Sequence, residues 1–356
     1  MQNVVFLENK KMITHLNFAK GFRGGERQSM LLIQELSHRG YKQKMITRVE
    51  SELANRLEGT KGLEIIKISK PYFLNLLKVK DSDILHAHET KAAQFSYFAN
   101  LFFSVPYIVT RRVDNAIKNN FFNKKIYAQA NVCLALSKAI QKEIEKITSD
   151  AKVKIIPSAY SKLVVDAKTS ESIKERYKGK FLVGNIGELD NTHKGQYYLL
   201  EAMKKIQVRY PEIHLILLGR GKDELKFKEQ VKDLNNITFE GFVDNVGDYI
   251  KCLDLFVFPS LNEGLGSILF DIMQAKVPIA ASDIGGIPDI VENEKNGLLF
   301  ETKNSDAIYN AIVRLYKDES LRESLSDEAL KNIYNFSFEK MTDRYEELYK
   351  EIDSEI

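Results

Sequence analysis

Short apolar runs alternate with amphipathic stretches along almost the whole chain, and this rhythm restricts the fold more than any other feature. Met12–Phe18 reads as a strand, and Glu26–Arg39 as a helix with apolar residues at Met30, Leu31, Ile33 and Leu36. Strand candidates follow at Lys44–Thr47, Leu63–Ile68, Ile84–Ala87, Tyr107–Thr110, Val132–Ala135 and Val153–Ile156. A polar, charged stretch at 161–179 interrupts the series. It then resumes with strands at Phe181–Ile186, His214–Leu218, Ile237–Phe239, Leu255–Phe258, Pro278–Ala281 and Gly297–Phe300, and helices at Gln196–Arg209, Asp223–Asn235 and Gly266–Ala275. Repeated strand–helix–strand units predict parallel, doubly wound sheets. A chain of 356 residues suits two such domains. The boundaries read as 1–165, 166–335 and a C-terminal helix over 336–356 that crosses back to the first domain. The expected fold class is α/β, two Rossmann-like domains facing each other across a cleft, with ligands at the carboxyl ends of the strands.

Composition excludes several classes. Cys133 and Cys252 lie far apart in apolar segments, which argues against a disulfide scaffold or a zinc site. No apolar stretch reaches the ~20 residues of a membrane-spanning helix, and no secretory leader is visible at the start. A cytoplasmic protein is expected, working at the cytoplasmic face of the membrane. The net charge of +3 hides an asymmetry. Residues 1–170 hold 28 Lys and Arg against 15 Asp and Glu, and the remainder 24 against 34. A basic half predicts an anionic partner surface or ligand. No nucleic-acid-binding module accompanies it.

The segment after the Leu255–Phe258 strand carries most of the chemistry. A loop with Gly264 and Gly266 leads into a helix, a place where backbone N–H groups can hold a diphosphate. Glu263 precedes that helix, and Asp271 lies eight residues on, about two turns into it and on roughly the same face. Carboxylates so placed accept hydrogen bonds from sugar and ribose hydroxyls; the plain alternative is a helix cap and a solvated acid.

This segment resembles the signature of the family 4 glycosyltransferases, retaining enzymes with the GT-B fold. The likeness runs in order along the chain. Gly24-Gly25-Glu-Arg27 resembles the family's N-terminal glycine loop, Asp83-Ile-Leu-His-Ala-His88 its Asp-x-x-His-x-His strand end, and Gly187-Glu-Leu-Asp-Asn-Thr-His-Lys-Gly195 its phosphate loop. Leu217-Leu-Gly-Arg-Gly221 and Phe239-Glu-Gly-Phe242 resemble two further donor-domain motifs. The resemblance implies that Glu263, Lys194 and His88 are catalytic. It implies that Gly24, Gly25, Gly187, Arg220, Phe242, Gly264, Leu265, Gly266, Ser267 and Asp271 bind the donor. Lys194 would neutralise the departing diphosphate, and His88 would lie near the sugar's outer hydroxyls, with His86 facing the core. Two positions depart from the family. Asp271 stands where a Glu is usual, and Glu188 where an Arg is usual; a carboxylate cannot stabilise a phosphate, so either another cation substitutes, with Arg220 the candidate, or Lys194 and the helix N-terminus carry more of the load.

Arg111 and Arg112, after the Tyr107–Thr110 strand, are expected to meet an acidic acceptor or the phosphates. Asp81-Ser-Asp83 copies a metal-binding pattern of another glycosyltransferase fold, but it leads into a strand rather than ending one. It reads as turn chemistry, and no metal or cofactor is expected. The expected reaction transfers a sugar from a nucleoside diphosphate sugar to a cell-envelope glycolipid or oligosaccharide such as a lipopolysaccharide. The alternatives are a nucleotide-sugar epimerase of the same fold or an inactive nucleotide-sugar-binding subunit. Two segments, Lys70–Lys80 and Lys118–Tyr127, mix aromatic and aliphatic residues with lysines and are expected to touch an anionic membrane.

Overall fold

The computed structural model describes residues 11–354. It divides into two compact units. The first runs to Ala159 and includes the segment from Phe338 onward; the second is Tyr160–Ser337. The first boundary falls earlier than the change in composition suggests, because the chain after Ala159 is tied to the second unit. Gln274 donates to the Ser161 carbonyl at 2.8 Å and accepts from the Leu163 N–H at 3.0 Å. The Asp166 N–H donates to Asp248 at 2.6 Å.

In the first unit seven parallel strands form one sheet: β1 (Ile13–Asn17), β2 (Gln43–Arg48), β3 (Leu63–Ile68), β4 (Ile84–Ala87), β5 (Tyr107–Arg111), β6 (Val132–Ala135) and β7 (Val153–Ile155). Their order is β3-β2-β1-β4-β5-β6-β7. In the second unit six parallel strands follow: β8 (Phe181–Ile186), β9 (Ile213–Leu218), β10 (Ile237–Gly241), β11 (Leu255–Phe258), β12 (Ile279–Ser282) and β13 (Leu298–Phe300). Their order is β10-β9-β8-β11-β12-β13. The inner strands are fully buried at their centres, as Val183, Leu215, Phe256 and Ala280 illustrate, which is why they read as continuous apolar runs; the edge strands β3, β7 and β10 are only partly buried. In each sheet the order reverses at one point, between β1 and β4 and between β8 and β11. Loops diverge there, and ligands of doubly wound sheets bind in the resulting crevice.

Two helices differ from the sequence expectation. The helix after β11 begins at Ile268, not Gly266, since Gly266 has φ +86°, outside the right-handed helical region. The helix after β9 spans Glu224–Gln230 and stops short of Asn235.

The last helix, Phe338–Ser354, completes the first unit's core. Met341, Tyr345, Leu348 and Tyr349 pack on Ile13, Leu32, Leu36 and Ile84. Arg39 clamps the other face: its guanidinium meets Glu35 at 2.9 Å, Asp343 at 2.8 Å and Glu346 at 2.7 Å. Leu348 is 2% exposed. Leu348→Ala is expected to destabilise the first unit by about 2–5 kcal/mol, the range for truncating a buried leucine. A fall in the urea midpoint at unchanged slope checks it, and an unchanged midpoint would mean that the helix adds little to that core.

Candidate functional site

In the second unit, the ends of β8, β9 and β10 are locked together by glycines. The loop after β8 donates from the Gly187 N–H to the Leu218 carbonyl at 2.9 Å, and the Gly219 N–H donates to the Gly241 carbonyl at 2.7 Å. A Cβ on Gly219 would lie 1.9 Å from the Gly187 carbonyl oxygen, so no side chain fits there. These turns wall a cavity of 310 Å³ bounded by Gly187, Glu188, Gly219, Arg220 and Phe242. Phe242 keeps its ring exposed. The sequence-predicted residues Gly187, Arg220 and Phe242 therefore do meet, and Glu188 meets them.

Next to it, the loop after β11 is seated on the loop that carries Lys194. The N–H groups of Leu261 and Asn262 both donate to the His193 carbonyl, at 2.7 and 3.2 Å. Gly195, at φ +64°, lies so close that a Cβ would sit 2.1 Å from the Pro259 oxygen. From the other side, the Gly286 N–H donates to the Glu263 carbonyl at 2.9 Å, and a Cβ on Gly285 would sit 2.1 Å from that oxygen. Lys194 and Glu263 are thereby held in an ion pair, Nζ to Oε2 at 2.7 Å, with side chains 27% and 17% exposed. Lys194 also lies 5.6 Å from the centre of the Phe258 ring. Beyond Glu263, the N–H groups of Gly264, Leu265, Gly266 and Ser267 donate to no group among the described residues. The Leu265 side chain is buried, so only its backbone is available. Asp271 stands in the first turn of its helix rather than two turns in, a correction that follows from the late helix start at Ile268.

In the first unit, His88 follows β4 at the reversal point. It is 4% exposed, and its N–H donates to the Leu16 carbonyl at 3.0 Å. Its ring Nε2 is 3.0 Å from His15 Nδ1. Its Nδ1 faces Arg112 Nη2 at 3.4 Å. A Cβ on Gly25 would approach Arg112 Cδ to 3.1 Å, so Gly25, His88 and Arg112 are brought together. The two arginines separate: Arg111 donates to the Asn115 carbonyl, while Arg112 lies among His88 and Tyr345. Burial lowers the Arg112 pKa, and Tyr345 and Glu26 partly offset it. Gly24 opens the helix Gly24–His38, and nothing crowds its Cα. The Asp81-Ser-Asp83 segment is turn chemistry: Asp81 pairs with Lys44 at 2.5 Å, Ser82 with Thr14 at 2.6 Å, and Asp83 accepts from the Met12 N–H at 2.7 Å.

The sequence reading missed His15, Gln43, Tyr345 and Tyr349. With His86 and His88, His15 forms a buried trio whose ring nitrogens lie within 4.8 Å of one another. Such a trio can hold a metal in principle, but these rings are otherwise engaged. His86 bonds the Tyr349 hydroxyl at 2.8 Å and Thr110 Oγ1 at 2.7 Å. His15 Nε2 meets Gln43 Oε1 at 3.0 Å. The Arg112 cation beside His88 opposes a second cation.

Burial pushes His15 down to about 4 against the pull of its Gln43 hydrogen bond, and lowers His86 and His88 as well. The folded rings stay neutral at pH values where the unfolded chain's histidines, with ordinary pKa near 6.5, take up protons. For His15 the contribution to stability is complete above pH 6.5 and is lost as the pH falls toward 4, and His86 and His88 add to the loss below pH 6.5. His15 alone is expected to give a slope of about 1.4 kcal/mol per pH unit inside that window. Denaturant unfolding at stepped pH measures it, and a flat profile would mean that the rings are charged in the folded state.

Residues 166–332 match the family described as glycosyl transferases group 1. An uncharacterised glycosyltransferase of Methanocaldococcus jannaschii is 28% identical over 61% of this chain and 59% of its own length. The Escherichia coli UDP-Gal:alpha-D-GlcNAc-diphosphoundecaprenol alpha-1,3-galactosyltransferase is 24% identical over 96% of this chain and 97% of its own. The crystal structure of Anabaena HepE in complex with UDP superposes with a TM-score of 0.83 at 17% identity, covering 96% of this chain and 100% of that one. The chain thus has the GT-B fold, and its second unit carries the domain of the glycosyl transferases group 1.

Proposed function

We propose that this chain is a retaining glycosyltransferase that moves a sugar from a nucleoside diphosphate sugar to a cell-envelope glycolipid or oligosaccharide. One observation carries the reading: the Lys194–Glu263 pair stands directly before four consecutive N–H groups, Gly264 to Ser267, that have no partner among the described residues. A cation beside a row of fixed N–H dipoles suits a diphosphate. A carboxylate at the same place suits sugar hydroxyls. The neighbouring cavity, with the Phe242 ring at its mouth, suits a nucleoside. Arg220 lines that cavity with Glu188 and takes over the charge that Glu188 withholds. The relatives support the class of donor and acceptor: UDP is bound in the Anabaena structure, and the E. coli relative is named for a galactosyl transfer involving a diphosphoundecaprenol.

In the proposed reaction the donor's C1–O bond to the diphosphate breaks as the acceptor oxygen bonds C1 from the same face. A donor phosphate oxygen takes the acceptor's proton. Negative charge grows on the diphosphate, and Lys194 with the Gly264–Ser267 amides stabilises it where it develops. Glu263 holds the sugar through its hydroxyls. In the first unit His88 offers its ring to the sugar's outer hydroxyls, and Arg112, close to Gly25, offers its charge to an acidic acceptor or the phosphates. No step calls on a metal. Lys194→Ala is expected to lower the rate by about 10²–10³, and Glu263→Gln to abolish most of it, with EDTA present throughout. The assay is transfer from a panel of nucleotide sugars to cell-envelope lipid and oligosaccharide fractions. Losses under about tenfold, or full dependence on added manganese or magnesium, would overturn this assignment. An epimerised nucleotide sugar without transfer would favour the epimerase.

The first unit is proposed to touch an anionic membrane. No helix among the described residues is long and apolar enough to cross one. The 3-10 helix Tyr72–Val79 leaves Phe73, Leu74 and Leu77 more than half exposed between Lys70 and Lys80. Phe121, at the start of the helix Phe121–Gln129, is 76% exposed, with Lys124 and Lys125 in the next turn. Rings and leucines enter the headgroup layer while lysines meet lipid phosphates, at roughly 1 kcal/mol each. Co-sedimentation with vesicles is expected to require anionic lipid and to fall steeply with salt. It is also expected to weaken when Lys78, Lys80, Lys124 and Lys125 are changed to Glu. Equal binding to neutral vesicles would remove the electrostatic part of this proposal.

A further inference from the structure

We infer that His15 and Gln43 are positioning residues that fix His88 in the tautomer protonated at Nε2, so that its Nδ1 lone pair is the group offered beside Arg112. The direction of every bond in this chain follows from its two ends. Gln43 Nε2 donates to the Ile33 carbonyl at 2.9 Å, which can only accept. That sets the amide, and Gln43 Oε1 is the atom 3.0 Å from His15 Nε2. An amide oxygen only accepts, so His15 Nε2 carries a hydrogen. His15 is fully buried and neutral, as its lowered pKa requires, so its Nδ1 holds a lone pair. His88 Nε2, 3.0 Å away, must then donate. His88 is neutral by the same burial and by the neighbouring charge of Arg112, so its Nδ1 is the acceptor. At the far end Arg112 Nη2, 3.4 Å from that Nδ1, can only donate.

The reverse tautomer fails at both ends. An N–H on His88 Nδ1 would point at the guanidinium N–H groups, and two lone pairs would face each other between His88 and His15. The backbone holds the chain in place: His15 on β1 pairs in register with His86 on β4, and the His88 N–H is fixed on Leu16. At 3.4 Å the contact from Arg112 is long for a hydrogen bond. The Nδ1 lone pair therefore keeps the capacity to accept from a sugar or acceptor hydroxyl. This last use rests on the glycosyltransferase reading; the tautomer does not.

The test uses the full chain labelled with ¹⁵N at histidine. Long-range proton–nitrogen correlation spectra are expected to show His88 protonated at Nε2 only and His15 likewise. In Gln43→Glu a carboxylate faces His15 and favours its imidazolium, whose Nδ1–H then donates to His88 Nε2. His88 is expected to switch to the Nδ1–H tautomer, and kcat to fall about tenfold, the scale of one well-placed hydrogen bond. KM for the nucleotide sugar should stay within about twofold. His15→Gln, whose amide oxygen can still accept from His88 Nε2–H, is expected to keep the wild-type tautomer and most of the rate. His88 protonated at Nδ1 in the wild type, or an unchanged His88 tautomer in folded Gln43→Glu, would overturn the inference. If Gln43→Glu does not fold, the wild-type spectrum and His15→Gln decide it. A wild-type protein with the expected tautomer but no sugar transfer would sustain the relay and sink the proposed function.

Discussion

The second unit depends on one steric constraint: strand-end backbones that approach too closely to admit a side chain. Gly219 against Gly187, Gly195 against Pro259, and Gly285 against Glu263 each leave about 2 Å for a Cβ. Such contacts are open only to glycine. They turn four separate loops into one stiff platform at the point where the strand order reverses. Lys194 and Glu263 come from positions 69 residues apart, and their meeting follows from Gly195 and from the His193 carbonyl on one side and Gly285 and Gly286 on the other. The charges are set by the backbone beneath them, which is what a site that stabilises developing charge requires.

That explains which parts of the molecule can be read from the sequence. Apolar runs buried on both faces announce parallel strands, and all thirteen strands lie where the periodicity predicts them. Gly195 and the Gly285-Gly286 pair mark close approaches, though not which backbone they approach. The helix after β11 was misread because its second glycine, Gly266, takes φ +86° and delays the helix to Ile268, and a glycine's φ is not written in its neighbours. Arg111 and Arg112 look equivalent as a dipeptide, but one turns back to Asn115 and the other reaches His88. The relay from Gln43 through His15 to His88 joins residues 28 and 73 positions apart. Each of these residues, taken alone, is an ordinary buried polar residue on a strand or just after one, and only the sheet order makes them neighbours.

The two units solve the same problem by opposite means. In the second, a cation and a carboxylate face each other at 2.7 Å. In the first, Arg112 has no carboxylate within ion-pair distance among the described residues, and its neighbours are neutral rings and a phenol. A buried cation without a paired carboxylate is costly, and burial lowers its pKa, with Tyr345 and the more distant Glu26 only partly offsetting it. The lone pair inferred on His88 Nδ1 lies beside that charge, at 3.4 Å, without closing a full hydrogen bond to it.

The proposed chemistry uses this contrast. A diphosphate brings more negative charge than the single carboxylate of Glu263, so on binding it can draw Lys194 away and leave Glu263 free for sugar hydroxyls. The free protein's ion pair then keeps both groups ordered without committing either to another partner. Glu188 fits the same logic. As a carboxylate it cannot answer a phosphate, but it lines the cavity beside Arg220, where it is an acceptor for the hydroxyls of a nucleoside's ribose. The loss of a phosphate-binding cation at this position would then be matched by a gain in hydroxyl recognition. The electrostatic burden on the diphosphate is then shared by Arg220, Lys194 and the Gly264–Ser267 amides.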